Sequence, residues 1–381
     1  MKLLLIHNKY QSSNIGGEDI VFENEVNLLQ KKLGIDKLFI YEVSNDDIKK
    51  FKLIFEIWFS FKHYRTIKKI VKSNKIDIVH IHNFFPLLTP SVFKAAKDGG
   101  AKVIHTLHNY RLWCISGILY RDGYGICEQC VNQKFSLAGI KHQCYRKSLL
   151  QSLVAQASFW FYRITKIFDT IDYFFVLTRF QKEKVKSLGL RESKIILKPN
   201  SLTLNSPFSS SKDGYIFVGR LEESKGIIEL LKVWKQLDAR YKLTIIGSGE
   251  LLESLKKQYS QENIMFSGKC SRAETLHNIA SAKYLIQPSL WYETFGLTII
   301  EAFSCATPVV GLNIGTRKDF IEHGVNGFIC NLNELKVTIE QSLSYEAYEL
   351  LCKNAFLKAK EFDNDAVITK QIEIYKSILE K

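Results

Sequence analysis

Short apolar runs separated by polar turns recur along the chain, and the stretches between several of them carry the spacing of amphipathic helices. Leu3–His7 is the first run; the loop Asn8–Gly17 follows, then a helical pattern from Glu18 to about Lys32. Ile76–Ile81, Lys102–Leu107 and Phe174–Leu177 are further runs in the first half. The second half repeats the plan with Tyr215–Val218, Lys242–Ile246, Ile264–Phe266, Tyr284–Ile286 and Pro308–Val310. Brief β-branched or aromatic runs followed by polar turns are the mark of strands buried on both faces of a parallel sheet. Strands alternating with helices imply βαβ units with right-handed crossovers. The pattern therefore predicts an α/β fold of two facing, doubly wound, Rossmann-like domains, residues 1–198 and 199–361. The turn-rich Lys198-Pro199-Asn200-Ser201 joins them, and a last helix sets Ile368, Ile372, Tyr375 and Ile378 on one face.

Composition agrees with this division. The chain has 381 residues, 46% hydrophobic and 24% charged, which is ordinary for globular proteins and about two domains in length. No apolar run reaches the roughly 18 residues that span a bilayer, and Met1–His7 is too short for a secretory signal core. The expectation is a cytoplasmic protein whose eight cysteines sit in a reducing compartment without a disulfide framework. Charge is uneven. Residues 1–200 hold 32 of the 53 Lys and Arg but 17 of the 39 Asp and Glu, so the whole formal charge of +14 belongs to that half. Such a half suits a polyanionic partner: nucleic acid, an anionic membrane surface or phosphorylated substrates. A Lys-rich surface kept for solubility would look the same.

Ligands of open α/β sheets bind beyond the carboxyl ends of the strands, so the cleft between two facing sheets is the expected site. Gly16 and Gly17 close the first strand–helix loop, where backbone N–H groups can approach an anion, although such a pair is more often a simple turn. After Tyr215–Val218, Arg220 and Lys225 place two cations at one strand end, a pair suited to a diphosphate. The richest stretch runs from Pro288 to Ala302. There Glu293 stands in a loop, a helix opens near Gly296, and Glu301 follows about a turn later. Free N–H groups at the helix start favour phosphate, and two carboxylates beside them can accept hydrogen bonds from hydroxyls. Together they describe a sugar–nucleotide pocket; ordinary helix-terminal charges are the bland alternative.

At these residues the sequence resembles the retaining family 4 glycosyltransferases of the GT-B fold, bacterial surface-polysaccharide type. The resemblance covers most of the chain and is clearest from Gly214 to Phe328. The E-x7-E signature is Glu293 to Glu301, and the family's Arg and Lys fall on Arg220 and Lys225. The resemblance implies that Glu301 holds the donor ribose and Glu293 the donor sugar. Phe295, Gly296, Leu297 and Thr298 would contact sugar and diphosphate, largely through backbone, and Gly268 and Lys269 would border the nucleobase. Gly16 and Gly17 match the first loop of the N-terminal domain, and His108 the strand-end His that reaches toward the transferred sugar. The last helix, within 362–381, would pack back on the N-terminal domain. The run Asn313–Asp319 departs from the family's Gly-Gly-x-x-Glu turn. The implied reaction moves a hexosyl unit from a UDP- or GDP-linked sugar with retention, with no cofactor required for catalysis.

Cys114, Cys127, Cys130 and Cys144 are spaced as C-x12-C-x2-C-x13-C, which would supply four thiolates to a structural Zn²⁺, with His142 as a substitute ligand. Four reduced thiols in a loop-rich insertion are the alternative. Two segments, 49–75 and 146–166, interleave cations with aromatics; they suit an anionic leaflet, unless the rings simply pack as core. The expected partners are a nucleotide sugar, a lipid-linked glycan of O-antigen or capsule (polysaccharide or lipopolysaccharide) assembly and an anionic membrane, with the enzyme peripheral on the inner face of the cell membrane. A nucleic-acid-binding protein, or an epimerase or hydrolase on the same fold, are the competing readings. No nucleic-acid module motif is present, so nucleic acid is not expected as a partner.

Overall fold

The computed structural model describes residues 1–12, 16–204, 212–259 and 261–380, and the side chains of Lys50 and Phe51 fall outside that set. Two units emerge. One comprises Met1–Ile118, Glu128–Ser201 and Asn364–Lys381, and the other Leu119–Cys127 and Leu202–Asp363.

The first unit holds strands β1 (Leu3–Lys9), β2 (Leu38–Ser44), β3 (Ile78–Asn83) and β4 (Lys102–Thr106), and later β7 (Tyr173–Val176) and β8 (Ile195–Leu197). All pairings are parallel, in the order β2-β1-β3-β4-β7-β8. Around the sheet stand α1 (Gly17–Leu33), α2 (Lys50–Glu56), α3 (Phe61–Asn74), α4 (Ser91–Gly99), α5 (Leu137–Lys141), α6 (Leu149–Ile164) and α7 (Arg179–Ser187). Between β4 and β7 a small antiparallel hairpin, β5 (Tyr120–Arg121) and β6 (Gly125–Ile126), groups with the other unit. Its anchor is Glu223, whose Oε1 accepts from Tyr120 O–H (3.3 Å) and Gly123 N–H (2.5 Å).

The second unit's sheet runs β11 (Ile264–Gly268), β10 (Leu243–Ile246), β9 (Tyr215–Val218), β12 (Tyr284–Gln287), β13 (Val309–Leu312) and β14 (Gly327–Cys330), again all parallel. Its helices are α8 (Ile227–Trp234), α9 (Leu252–Gln258), α10 (Arg272–Ser281), α11 (Leu297–Ser304), α12 (Arg317–Phe320), α13 (Leu335–Leu343) and α14 (Tyr348–Ala359). The last helix, α15 (Asn364–Leu379), belongs to the first unit. There Ile368, Tyr375 and Ile378 join Leu3, Leu5, Phe22, Leu29, Ile78, Ile104 and Phe175 in one core cluster.

Both strand orders are doubly wound, with a reversal point between β1 and β3 in the first unit and between β9 and β12 in the second. The apolar runs read from the sequence became the interior strands together with one edge, β11. The three strands of the two six-stranded sheets without a clear run, β2, β8 and β14, are all sheet edges. An edge strand with one side open can alternate, as β2 does, with only Leu38 buried outright.

At the second reversal point two loops are locked by backbone contact. Leu290 N–H donates to the Ser224 carbonyl (2.9 Å), and Gly226, at φ +71°, starts α8. A Cβ on Gly226 would lie 2.0 Å from the Pro288 carbonyl oxygen. Gly226→Ala therefore meets both an unfavourable φ and a backbone clash, and should destabilise the protein by about 2 kcal/mol or more. A lowered melting temperature with unchanged secondary structure is the expected readout; wild-type melting behaviour would contradict it.

Candidate active site

In the second unit, Lys225 ends the short turn after β9 and Glu293 lies in the loop after β12. Their side chains meet, with Lys225 Nζ 2.7 Å from Glu293 Oε1. Lys225 Nζ also lies 4.9 Å from the centre of the Trp291 ring. Ser289 O–H donates to Glu293 Oε1 (2.9 Å), and Gln287 lies 3.5 Å from Oε2. Burial alone would raise the Glu293 pKa, but the charges of Lys225 and Arg317 and these hydrogen bonds hold it at about 2. The carboxylate is ionised and nearly dry.

Arg317 was not singled out in the sequence. It opens α12, inside the run that departs from the family turn, and it is fully buried. Its guanidinium donates to the carbonyls of Ser289 and Ile314, and burial lowers its pKa to about 10 against the opposing pull of Glu293. Three buried donors in these same loops lack a protein partner: Arg317 Nε, Trp291 Nε1 and the Thr316 hydroxyl. Buried donors normally find acceptors, so their concentration here marks loops able to take ligand oxygens. Only their strand-end position could have flagged them in the sequence.

Gly296, at φ +86°, caps α11. Thr298 Oγ1 accepts from Gln287 (3.1 Å), while the Phe295 ring turns inward against Phe320 (5.2 Å) and Phe362 (5.7 Å). The side chain of Phe295 is thus core, leaving its backbone to face a ligand. Glu301, one turn into α11, pairs with Arg272 at 3.0 Å; burial raises its pKa and Arg272 opposes the rise. Arg272 was also missed, although its helix announces itself by the Ser271-x-x-Glu274 capping box. Arg220 is exposed and bonds Glu222 (3.2 Å). Gly268, at φ +70°, ends β11, and Lys269 after it is exposed.

In the first unit the loop after β1 leads into α1. Gly16 N–H donates to Asp19 Oδ2 (2.9 Å), and Asp19 Oδ1 pairs with His7 (2.8 Å). Glu18 and Asp19 already place two carboxylates at the positive end of the helix, so Gly16 and Gly17 open onto an end whose dipole is met from within the chain. His108 follows β4, nearly buried, with its ring stacked on His82 at 5.1 Å.

Cys114, Cys130 and Cys144 belong to the first unit and Cys127 to the hairpin segment grouped with the second. Among the described residues, no three of these thiols converge within 4.8 Å; the set that does is Glu25, His80 and His82. An Asp-x-Asp pattern exists at Asp363 to Asp365, and Asp365 pairs with Lys32 at 3.0 Å.

Two doubly wound units, with cations and carboxylates gathered at the reversal point of the second, fit the GT-B fold. Family models extend this: residues 39–205 match "Glycosyltransferase Family 4" and residues 205–355 match "Glycosyl transferases group 1". The chain belongs to the family 4 glycosyltransferases. It is 22% identical to an uncharacterized 41.2 kDa protein in the cps region of Klebsiella pneumoniae, covering 82% of each chain. Over 52% of its length it is 31% identical to the O-antigen biosynthesis glycosyltransferase WbnH of Escherichia coli, covering 56% of that protein. Anabaena HepE in complex with UDP has the same fold (TM-score 0.66, 15% identity, 99% of this chain and 100% of that one).

Lys225→Met leaves Glu293 buried without its cation and should cost about 3 kcal/mol at pH 7. The folded-state pKa of Glu293 lies below its ordinary 4.5, so this stabilisation is complete above pH 4.5 and is lost as pH falls toward about 2. Denaturant titrations of wild type and variant should therefore converge in acid; a gap that stays constant would rule out the pair as its origin.

Proposed function

We propose that the chain is a retaining hexosyltransferase that takes a UDP- or GDP-linked sugar and transfers the hexosyl unit to a lipid-linked glycan of O-antigen or capsule assembly. The observation that carries this is the Lys225–Glu293 pair beside the opening turn of α11, with Arg317 behind it. HepE's complex with UDP and the naming of WbnH support a nucleotide-sugar donor and a surface-glycan role.

In this reading Glu301 accepts from the ribose hydroxyls and Glu293 from the sugar. Lys225, Arg220 and the first N–H groups of α11 meet the charge that develops on the leaving diphosphate, a preorganised electrostatic role. The bond from the anomeric carbon to the phosphate oxygen breaks as the acceptor oxygen bonds to the same face. The acceptor's proton passes to a diphosphate oxygen, and no protein nucleophile is assigned. The cations and helix N–H groups make a divalent ion unnecessary for that step.

Membrane docking is part of the proposal. Both cation–aromatic segments lie in the first unit, and Trp58 meets Phe161 with ring centres 5.9 Å apart. Phe159 and Tyr162 are core. Phe55, Phe61, Leu149, Leu150, Leu153, Trp160 and Ile164 are exposed, with Lys52, Lys62, Arg146 and Lys147 in the same segments. Exposed apolar side chains flanked by cations fit an anionic lipid surface. A structural Zn²⁺ on Cys114, Cys127, Cys130 and Cys144 is a separate proposal that requires these thiols to turn toward one another. Metal analysis of the purified protein tests it.

Calorimetry with UDP, GDP and their sugars should show one nucleotide class binding, weakened about tenfold or more by Glu301→Ala. Absence of binding by every nucleotide would overturn the donor reading. Leu150→Asp with Leu153→Asp should abolish sedimentation with phosphatidylglycerol vesicles while leaving nucleotide binding intact; retained sedimentation would remove α6 from the docking surface.

A further inference from the structure

A cavity of about 370 Å³ lies within the first unit, between the end of α6, the turn that precedes β7 and the turn between α7 and β8. Lys194 stands directly before β8, and Asp169 shortly before β7. The cavity therefore borders the amino ends of these strands, whereas doubly wound sheets ordinarily hold their ligands at the carboxyl ends. Among the described residues that line it, none belongs to the sugar–nucleotide motifs.

Four of those residues are cations, Lys134, Arg163, Arg191 and Lys194, against one carboxylate, Asp169. Arg163, half-buried, directs its guanidinium at neutral carbonyls: Nη1 donates to Lys134 (3.1 Å) and Gln133 (3.4 Å), and Nη2 to Leu112 (3.0 Å). Lys194 Nζ likewise donates to the carbonyls of Asp169 (3.4 Å) and Ile171. Glu192, the acid beside Arg191, is drawn to Lys182 and Lys186, each 3.1 Å away. Burial lowers the pKa of Arg163. Burial and the charge of Arg191 lower that of Lys194, against the pull of Asp172 and Asp169. Carbonyls orient these groups without neutralising them, so like charges converge on one partly dry space. An anion entering it would relieve both the repulsion and the cost of burial.

The walls are apolar. Trp113 is fixed by its Nε1–H on the Leu188 carbonyl (2.9 Å), and Phe168 and Leu190 line the same space. At the rim, Phe135 follows Lys134 and Ile164 follows Arg163, and the Arg163 bond to the Lys134 carbonyl ties the two segments together. The Phe135 ring meets that of Trp160 with centres 6.4 Å apart, and Phe135, Trp160 and Ile164 are exposed. A cationic hollow bordered by exposed rings matches a ligand with phosphate at one end and hydrocarbon beside it.

We propose that this cavity binds the phosphate of an anionic lipid, with Lys134, Arg163, Arg191 and Lys194 around the phosphate and the Phe135–Trp160 pair against the lipid's apolar part. The proposal rests on the reading that the first unit docks on an anionic membrane, and adds to it a place where a single lipid molecule is held. The consequence is that binding depends on the lipid headgroup itself and not only on the charge of the surface.

The probe is dioctanoyl phosphatidylglycerol kept below its micelle concentration and titrated calorimetrically into the full chain. The wild type should bind it. Lys134→Glu with Arg191→Glu should weaken that binding roughly tenfold or more at an unchanged melting temperature, since both side chains are exposed. Equal binding by the two proteins, or none by the wild type, would overturn the proposal. Dioctanoylglycerol, which lacks the phosphate, and inorganic phosphate, which lacks the chains, should each bind more weakly than the lipid. Inorganic phosphate binding as tightly would give the cavity to a soluble anion and overturn the lipid assignment. Leu150→Asp with Leu153→Asp should keep the short-chain lipid while losing vesicle sedimentation. If it keeps both, the docking reading fails at α6 and the cavity stands; vesicle sedimentation by a wild type that binds no short-chain lipid sinks the cavity alone.

Discussion

A carboxylate removed from water must be matched by positive charge and donors, or it will not stay ionised, and Glu25 shows how much of a fold such a requirement can organise. It projects from α1, and it is satisfied only because β3 delivers His80 and His82, the end of β8 delivers Lys198, and α15 delivers Gln371. Those four elements lie up to 346 residues apart in sequence. Apolar packing of Phe22, Ile78 and Tyr375 brings the same elements together, but hydrophobic contact has no direction. The Glu25 cluster adds the direction, because each of its bonds is satisfied at one register only.

The second unit solves the same problem at its reversal point with Glu293. Lys225 and Arg317 approach it from two loops, Ser289 and Gln287 from the strand end, and the carboxylate is held ionised deep below its usual pKa. Here the surroundings are less complete. Trp291, Thr316 and Arg317 retain buried donors with no protein acceptor. The first cluster leaves the Gln371 amide oxygen unmatched, while the second keeps unmatched donors beside the loops that carry the family signature.

Much of the architecture was legible in the chain. Interior strands of a parallel sheet are apolar on both faces, so Leu3–His7 or Tyr215–Val218 can hardly be read otherwise. The edge strands Leu38–Ser44, Ile195–Leu197 and Gly327–Cys330 were not legible, because an open side relaxes that demand. The E-x7-E spacing and the Arg220–Lys225 interval were visible because loop and helix geometry tie them to short stretches of sequence. Arg272 and Arg317 were not, since each acts on a carboxylate 29 or 24 residues away that only folding brings near.

By itself the sequence determined the class of fold, the family signature and the side chains available for charge and hydrogen bonding, since these follow from local periodicity and short spacings. Tertiary structure decided which of those side chains are buried and against what. It turned Phe295 inward, placed Arg317 behind Glu293, filled the start of α1 with its own carboxylates and lined His108, His82 and Glu25 into one path. The physical reason is the same in each case. Charge state, tautomer and orientation depend on dielectric surroundings and on partners distant in sequence, and neither exists until the chain has packed.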